Sequence, residues 1–477
     1  MEKKFLKLND KFNKQTSLFN DLINLFEENK NQIFKNDTKK ISEVRKQALE
    51  KFSKSELPTL KHEKWRDTDL SKTLSKNYKY YFDAEENNSE IGKTFKCVVP
   101  QLDSLSFTFV NGWNTFESEL ITLEDGIIIG SFSDAMKKFP EIVEQHFAKT
   151  FQPEKDFFSL LNTSYAQDGF FIYVPDNVNS QKSIQIVNII NNDENIFLQP
   201  RNLVIIGKNS KLSLIHCHDS VNQKNSFTNS VTEIFLNENS NIDYYKLQNL
   251  NNQSTLLNHT NFYQNTNSNI SSNSISLNGG LIRNETCVEI EGEGCAANVY
   301  GLFLMDDKQH IDNHIFIDHK KSNCVSNELF KGILDDNASA VFNGHVLVRQ
   351  DSQKTEAFQS NKNILLTDTA KINTKPFLEI YADDVKCSHG ATVGQLDNEA
   401  LFYLRSRGIS ENNARMLLMY AFAAEVINKI SIEPLKNRID DMVKKRLRGE
   451  LSVCDQCVLH CGTPEKEIDF EIDLSKI

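Results

Sequence analysis

Short runs of alternating apolar and polar residues fill the chain from about residue 170 to residue 395. Successive side chains of a strand point to opposite faces of a sheet, so a period of two predicts strands. Asn, Asp, Gly and Ser separate the runs, and no convincing helical period of 3.6 residues interrupts them. This region is therefore predicted to consist of many short strands without crossover helices.

A weak repeat runs through these strands, in which a small or polar turn precedes an alternating run. The matching segments are Asn209–Leu214, Asn239–Tyr244, Asn267–Ile270, Gly294–Val299, Asn337–Phe342 and Thr369–Asn373. Most of them lie roughly 30 residues apart, a period typical of stacked supersecondary units. Stacked coils of strands, as in a β-helix or solenoid, explain this pattern best, and a β-sandwich is the alternative.

Helical patterns lie on both sides of the strand-rich region. Before it, apolar spacing predicts helices within Asn13–Phe34, Ser42–Leu57 and Phe139–Tyr165, and the stretch Phe95–Ile129 is predicted to be extended. Pro140 fits the first turn of the third of these helices.

After the strands, three further helices are predicted, and such a helical end can close a solenoid or dock a partner. Asp397 and Ser410 are suitable N-caps for the first two, Gly408 ends the first, and Pro434 and Gly449 bound the third. The chain thus divides into a mostly helical N-terminal domain (1–165), a β-helix core (166–396) and a C-terminal helical domain with a Cys-rich tail (397–477).

Composition narrows the class of protein. A chain of 477 residues with a net charge of −11 lacks the basic surface of a nucleic-acid-binding protein. Its apolar runs are too short to span a bilayer, and Met1–Lys7 has charge but no apolar core of a secretory signal. Nine scattered cysteines do not form a disulfide framework, so we expect a protein of the reducing cytoplasm.

The segment Asp383–Gly394 contains the best candidate site. Cys387 and His389 lie two positions apart on a predicted strand and would project side by side. Thiolate and imidazole together suit iron, zinc or copper(I). Because two ligands cannot complete a site, a partner chain or a substrate would have to supply the others. The alternative is a buried thiol beside a hydrogen-bonded histidine.

The C-terminal tail holds a second candidate. Cys454, Cys457, His460 and Cys461 have the spacing of a metal site, and four ligands can close one tetrahedral site. A redox pair and an incidental extension of a helix are the other interpretations.

Other motifs are weaker. His310, Asp312 and His314 would line one face of a strand, where a polar ladder is favoured over a metal site, and the same holds for His216–His218. The glycine motifs Gly92–Thr94 and Gly292–Ala297 lack the strand and helix context of nucleotide-binding loops. We therefore expect no nucleotide hydrolysis by this chain.

From about Gly292 to Asp441 the sequence closely resembles the SufB/SufD family, the scaffold proteins of SUF iron–sulfur cluster assembly. The segments that carry the resemblance are Val299–Leu302, Gln309–His314, Glu328–Gly332, Ser360–Leu366, Leu378–Leu396 and Leu401–Ile409, with Leu57–Thr59 and Glu63–Leu70 nearer the N-terminus. The continuous run Asp383–Thr392 and the segment around Trp65 resemble the SufD members more than the SufB members. The cysteines of the tail are not a hallmark of the SufD members.

The resemblance implies a right-handed parallel β-helix between helical ends, in a cytosolic complex with SufB and the ATPase SufC. Leu401–Lys445 would dock SufC, and the last strands of the β-helix would pair with SufB. His389, with Cys387 beside it, would face a cysteine of SufB. Iron or a nascent cluster would be held transiently between the two chains, without a permanent cofactor.

The resemblance also implies a scaffold that is not an enzyme, since SufC would hydrolyse the ATP, and a homodimer is possible in isolation. Three other interpretations remain open. They are a SufB-like scaffold subunit, a β-helix enzyme acting on carbohydrate, and a zinc protein organised by the C-terminal cysteines. The missing secretory signal and the cysteine content weigh against the carbohydrate enzyme.

Overall fold

The computed structural model describes residues 22–80, 101–115, 120–149 and 156–450, together with residues 82 and 99. Some of the sequence features lie wholly or partly outside these residues. They include Met1–Lys7, the first part of the helix predicted from Asn13, the motif Gly92–Thr94, parts of Phe95–Ile129 and Phe139–Tyr165, and the tail cluster of Cys454, Cys457, His460 and Cys461.

Most of the described chain is strand. The first strands are β1 (Lys79–Tyr80), β2 (Ser104–Val110), β3 (Trp113–Asn114), β4 (Leu120–Thr122), β5 (Ile128–Ser131), β6 (Phe170–Val174), β7 (Ser183–Ile190) and β8 (Ile196–Leu198). The middle strands are β9 (Arg201–Ile206), β10 (Lys211–Ser220), β11 (Ser226–Leu236), β12 (Asn241–Asn249), β13 (Thr255–Gln264), β14 (Asn269–Asn278) and β15 (Leu281–Ile290). The last strands are β16 (Ala296–Met305), β17 (His310–His319), β18 (Val325–Leu334), β19 (Ser339–Val348), β20 (Thr355–Leu365), β21 (Lys371–Ile380) and β22 (Val385–Gly394).

Two sheets face each other across one core. Sheet A has the order β21-β19-β17-β15-β13-β11-β9-β6-β5-β4, and sheet B has the order β22-β20-β18-β16-β14-β12-β10-β7-β2-β3. From β9 to β22 the chain alternates between the sheets, and neighbours within each sheet are parallel, as in β10 with β12 and β11 with β13. This is a β-helix of seven coils in that stretch, so the predicted β-helix is confirmed and the β-sandwich is wrong.

The length of one coil agrees with the repeat seen in the sequence. Val231 pairs with Arg201 and Ser339 pairs with His310, which are spacings of 30 and 29 residues. The matching segments do not all lie at the same corner of the coil. The first four segments enter sheet B, whereas Asn337–Phe342 and Thr369–Asn373 enter β19 and β21 of sheet A. Both corners of a coil use similar turn residues, so composition alone does not distinguish them.

One corner of the coils explains part of the Asn content. Asn177, Asn209, Asn239 and Asn267 all have left-handed backbone conformations, with φ between 56° and 62°. Their side-chain amides form a ladder in which each Nδ2 donates to the preceding Oδ1, at 2.9, 2.9 and 3.1 Å. Asn tolerates positive φ better than most residues, so these four turns need no glycine, whereas the next turn of the same corner uses Gly294, with φ of 69°.

The core lies between the sheets, where inward side chains from successive coils stack. Ile184, Leu214 and Tyr244 follow one another on sheet B and face Phe262 and Ile234 of sheet A, all of them buried. Each such side chain contributes about 1.5–3 kcal/mol by leaving water. Stacking in register thus stabilises each coil against its neighbours.

Helices cover the outward faces of both sheets. They are α1 (which includes residues 22–33), α2 (Lys39–Lys54), α3 (Ser71–Leu74), α4 (Phe132–Lys138), α5 (Pro140–His146), α6 (Phe157–Tyr165), α7 (Asn398–Ser406), α8 (Glu411–Ile427) and α9 (Glu433–Leu447). The N-terminal helices pack on sheet A, where Phe52 and Phe158 belong to a cluster with Phe227 of β11.

The single helix predicted over Phe139–Tyr165 is wrong. It is split into α5 and α6, although Pro140 does lie in the first turn of α5. The chain leaves α5 at Phe147, and Ala148 has a left-handed φ of 55°. Glu233 of sheet A accepts the backbone N–H of Ala148 at 3.1 Å, which directs the chain away from a continuing helix.

The first two C-terminal helices begin at the predicted N-cap residues. The Asp397 side chain accepts the backbone N–H of Glu399 at 2.9 Å, and Ser410 accepts that of Asn413 at 3.4 Å. Helix α8 ends at Ile427. Helices α8 and α9 bury Val426, Ile439 and their neighbours in a cluster with sheet B, whereas α7 has no buried residue.

Candidate functional site

Cys387 and His389 lie on β22, the last strand of sheet B. Cys387 is beside Ala357 in register and His389 is beside Gln359, both on β20. Ala357 and Gln359 are buried, and Cys387 packs against the core between the sheets. The two candidate ligands therefore share one face of the strand, as predicted, and that face is the inward one.

The open end of the β-helix exposes His389. The inward positions in register before it are Leu214, Tyr244, Ser272, Val299, Glu328 and Gln359, and every one of them is buried. His389 occupies the same position in the last coil and is exposed, because no further strand of the described chain pairs with β22. The position that is buried in every earlier coil is thus accessible to another molecule in the last one.

Cys387 is shielded more than His389. Its side chain is part-buried, and this burial raises the pKa of the thiol, although a hydrogen bond with the backbone of Ala357 opposes the shift. The thiol is therefore protonated at neutral pH, and binding of a metal ion would have to displace the proton.

Glu328 and Gln359 form a buried polar pair beneath His389. Gln359 Nε2 donates to Glu328 Oε2 at 2.9 Å inside the last covered coils. Burial raises the pKa of Glu328 to about 8, so the carboxyl is largely protonated at pH 7. Gly344 of the facing strand provides the room, since a Cβ at that position would lie 2.1 Å from Gln359 Nε2.

Sequence reasoning gave Glu328 no role of its own. The residue belongs to one of the segments that resemble the SufB/SufD family, but alternation alone does not say which face of a strand is inside. The signal would have been an acidic residue at a position that is uncharged in every other covered coil of the register.

Among the described residues, no three His, Cys, Asp or Glu side chains are grouped so that they could hold a metal ion. Cys387 and His389 are thus two candidate ligands, and the described residues supply no third side chain of these types. The tail cysteines predicted as a tetrahedral site lie beyond residue 450, outside this part of the chain.

His310, Asp312 and His314 lie on one face of β17, as predicted, and that face points outward. Asp312 accepts a hydrogen bond from Thr68 Oγ1 at 2.6 Å and pairs with His314 at 2.8 Å. His310 forms hydrogen bonds with Thr68 and with Ser339. The cluster ties an N-terminal segment to sheet A, which agrees with the favoured interpretation as a polar ladder.

Arg283 completes this attachment. Its guanidinium pairs with Asp312, lies 2.7 Å from Glu285 and sits 3.8 Å from the centre of the Trp65 ring. The charge of Arg283 helps to keep the pKa of Asp312 below its ordinary value despite burial. The segment around Trp65 therefore has a structural role in docking the N-terminal domain.

His216 and His218 point into the core instead of forming a surface ladder. Burial lowers the pKa of both, to about 3 for His218, so both are neutral. Lys246 is buried close by, where desolvation lowers its pKa to about 7, and its amine donates to Asn258 and Thr260 at 3.0 and 3.4 Å. Sequence reasoning missed Lys246, because nothing in a strand pattern identifies an inward lysine.

Helix α7 presents an aromatic surface. Phe402 and Tyr403 are 74% and 57% exposed, although they lie on a regular helix beside the packed helices α8 and α9. By contrast, Lys331 of β18 donates to the backbone oxygen of Phe422 in α8 at 2.9 Å. Arg446 of α9 holds Asp306 with two hydrogen bonds of 2.6 Å. The helical domain is thus anchored to the β-helix through α8 and α9, whereas α7 buries none of its residues.

Two negative findings concern other classes of site. The glycines of Gly292–Ala297 precede strand β16, so the helix that a dinucleotide-binding loop requires is absent there. Within the described ranges, no helix has the length and apolar character needed to cross a membrane.

Comparison with known proteins gives two family matches that cover most of the chain. Residues 16–186 match the model of the SufBD protein N-terminal region. Residues 188–422 match the model of the SufBD core domain of SUF system FeS cluster assembly.

Individual relatives agree with these models. The chain is 30% identical over 420 residues to the iron–sulfur cluster assembly protein SufD of Escherichia coli, covering 87% of this chain and 96% of the relative. It is 31% identical over 400 residues to an iron–sulfur cluster assembly SufBD family protein of Synechocystis, covering 82% and 87%. SufD of Plasmodium falciparum is 35% identical over 254 residues, which are 53% of this chain and 17% of that protein.

Proposed function

Because this chain belongs to the SufBD family of SUF iron–sulfur cluster assembly proteins, we propose that it is a SufD-type scaffold subunit. In this role it performs no chemistry of its own. It works in the cytoplasm, pairs with a SufB-like subunit and a SufC-like ATPase, and helps iron or a nascent cluster to assemble between two chains.

The observation that carries the proposal is the exposure of His389 at the open end of the β-helix. Every earlier residue in its register is buried, so this imidazole is the first of the series that a neighbouring chain can reach. Cys387 lies beside it on the same inward face. A ligand pair at an open end suits a site that a second polypeptide completes, and imidazole with thiolate suits iron.

The SufC-like ATPase is proposed to dock on the C-terminal helices. Phe402 and Tyr403 supply an exposed aromatic surface on α7, and aromatic side chains often dominate the energetics of interfaces. Lys331 and Arg446 fix α8 and α9 to the β-helix. Movement imposed on the helices by ATP turnover would therefore reach the open end through a stiff body.

A His389→Ala variant tests the proposal. The chain is co-expressed with its SufB-like and SufC-like partners, and iron and sulfide are measured per purified complex. We expect at least about a fivefold loss of both, with unchanged subunit ratio, since one ligand of a shared site is removed. Ser388→Ala, an outward neighbour on the same strand, is the matched control. Wild-type iron and sulfide in the His389→Ala complex would contradict the proposal.

A SufB-like role remains the alternative within the family. A second copy of this chain is also a candidate occupant of the open end when no partner is present. The mass of the isolated chain, compared with that of the co-expressed complex, distinguishes a homodimer from a hetero-complex.

A further inference from the structure

One buried corner position of the β-helix holds a hydroxyl or a thiol in six successive coils. It lies at the start of the strands of sheet B, and the register of those strands aligns its occupants, Ser210, Ser240, Ser268, Cys295, Cys324 and Thr355. All six side chains are buried. Two cysteines thus follow one another, in the coils that lead into β16 and β18.

The turn at this corner does not need a cysteine. Ser268 Oγ donates to Asn265 O, three residues back, at 2.6 Å. Cys295 Sγ makes the equivalent hydrogen bond to Gly292 O at 3.3 Å. A thiol is a weaker donor than a hydroxyl, so serine would close the same turn at least as well. The pair of thiols therefore calls for a reason other than the turn.

The thiols of Cys295 and Cys324 lie against each other. Val325 N donates to Cys295 O at 2.9 Å, which holds the two corners in register. Both sulfur atoms lie within hydrogen-bond distance of Gly292 O, at 3.3 and 3.4 Å, and the two thiols share a hydrogen bond. Neighbouring strands lie about 4.8 Å apart, within the range of roughly 4.4–6.8 Å between the Cα atoms of a disulfide. A disulfide bond can therefore form without a change of register.

The environment of the pair makes Cys295 the nucleophile. The hydrogen bond with the Cys324 thiol lowers the pKa of Cys295 to about 7, although burial opposes this shift. The same hydrogen bond and burial raise the pKa of Cys324. At neutral pH Cys295 is thus partly thiolate, which is the reactive form, while Cys324 keeps its proton.

Solvent is close to both thiols despite their burial. Glu293 and Gly294 directly precede Cys295 and are exposed, and the exposed Asn323 directly precedes Cys324. Gly294 has no side chain with which to cover the corner. A reagent as small as hydrogen peroxide needs only a displacement of these turns to reach the sulfur atoms, whereas a bulky reagent needs the corner to open.

We propose that Cys295 and Cys324 form a reversible oxidation site for hydrogen peroxide, in which Cys295 reacts first and Cys324 resolves the product. The Cys295 thiolate attacks a peroxide oxygen, so that an S–O bond forms, the O–O bond breaks and the leaving hydroxide takes up a proton to become water. The Cys324 sulfur then attacks the sulfenic acid, and the S–S bond forms as the hydroxyl leaves with the thiol proton as water. The two sulfur atoms lose two electrons, the peroxide gains them, and the bond ties the coils of β16 and β18 together.

Peptide mapping by mass spectrometry tests the site on the wild-type chain. The protein is treated with hydrogen peroxide at neutral pH, unfolded, alkylated and digested without reductant. We expect a cross-linked peptide that contains Cys295 and Cys324, lighter by two hydrogen atoms and separated by dithiothreitol. The pair should oxidise at least about fivefold faster than Cys287, a buried cysteine whose pKa is raised by burial. Oxidation no faster than that of Cys287, or a stable sulfinic acid on Cys295 without the cross-link, would overturn the proposal.

Serine variants test the order of the two steps. Serine occupies this corner in the three preceding coils, so both variants should fold, and thermal melting checks this. Cys324→Ser should leave a sulfenic acid on Cys295 that dimedone traps and should form no cross-link. Cys295→Ser should slow the oxidation of Cys324 at least about fivefold, because the thiolate is gone. Unchanged oxidation of Cys324 in the folded Cys295→Ser variant would contradict the proposal.

Discussion

The two ends of the β-helix are built from the same two sheets but finish differently. At the first end, the last strands among the described residues are β4 in sheet A and β3 in sheet B, antiparallel strands of only three and two residues. At the last end, β21 and β22 are both ten residues long and remain parallel to their neighbours. Short edge strands protect a sheet from pairing with other chains, whereas long ones invite it.

The inward side chains at the two ends differ in burial in the same way. Phe109 and Ile129, on the strands next to the first end, are buried in the core. His389 and Val393, at inward positions of the last coil, are exposed. The comparison teaches that a repeating fold can make an inward face accessible to another molecule simply by leaving its last coil uncovered.

The largest expected effect on stability concerns sheet A where the N-terminal segment covers it. Arg283→Ala would leave the buried Asp312 and the part-buried Glu285 without their cation and would remove the contact with Trp65. We expect the free energy of unfolding to fall by about 3–5 kcal/mol, as when one partner of a buried ion pair is removed. Denaturant unfolding measures this change.

Arg349→Ala is the control for that experiment. Arg349 pairs with the buried Asp318, but its own side chain is 51% exposed and Lys320 also lies 3.9 Å from Asp318, so its loss should cost less than that of Arg283, about 1–2 kcal/mol. A similar cost for both variants would show that Arg283 does not hold the N-terminal segment to sheet A in the way described.

A smaller effect is expected close to the open end, from Glu328. Its pKa is raised from 4.5 to about 8 by burial, so the folded state holds a proton that the unfolded state has lost. The contribution of this group is fully present below pH 4.5 and is lost as the pH rises through 8. We expect Glu328→Gln to flatten the decline in unfolding free energy between pH 5 and pH 8, on the order of a few kcal/mol.

Glu356→Gln is the surface control, because Glu356 has a side chain 41% exposed on the neighbouring strand. Its pH dependence of unfolding should match that of the wild type. An unchanged pH profile for Glu328→Gln would show that the buried carboxyl is ionised, contrary to the raised pKa.

The smallest effect on stability is expected at α7. Phe402→Ser changes a side chain that is mostly in solvent, so the free energy of unfolding should stay within about 0.5 kcal/mol of the wild type. Capture of the SufC-like ATPase should nevertheless weaken, since the exposed ring is proposed to be part of its docking surface. Leu60→Ser, at another exposed apolar residue, is the control. Unchanged capture would move the docking surface away from α7.

Much of this fold can be predicted from the sequence, and the exceptions have a physical cause. Alternation identifies the strands, and the caps Asp397 and Ser410 identify the starts of two helices, because both signals are local. Alternation also places Cys387 and His389 on one face. It does not say whether that face is inside, so the buried Glu328 and Lys246 were missed.

The open end could not be predicted from residue patterns, because exposure depends on what lies beyond the last coil. His389 has the same inward register as Gln359, yet the two differ completely in burial. The family resemblance supplied the expectation of a partner at this end, and the geometry supplies a reason for it.

Photo-crosslinking from position 389 tests the central claim most directly. A benzoylphenylalanine residue replaces His389 in one variant and Tyr263, on the outward face of β13, in another. The account predicts that position 389 crosslinks to the SufB-like subunit in the assembled complex and that position 263 does not. Crosslinks from position 389 that stay within its own chain, in a complex shown to be assembled, would contradict it.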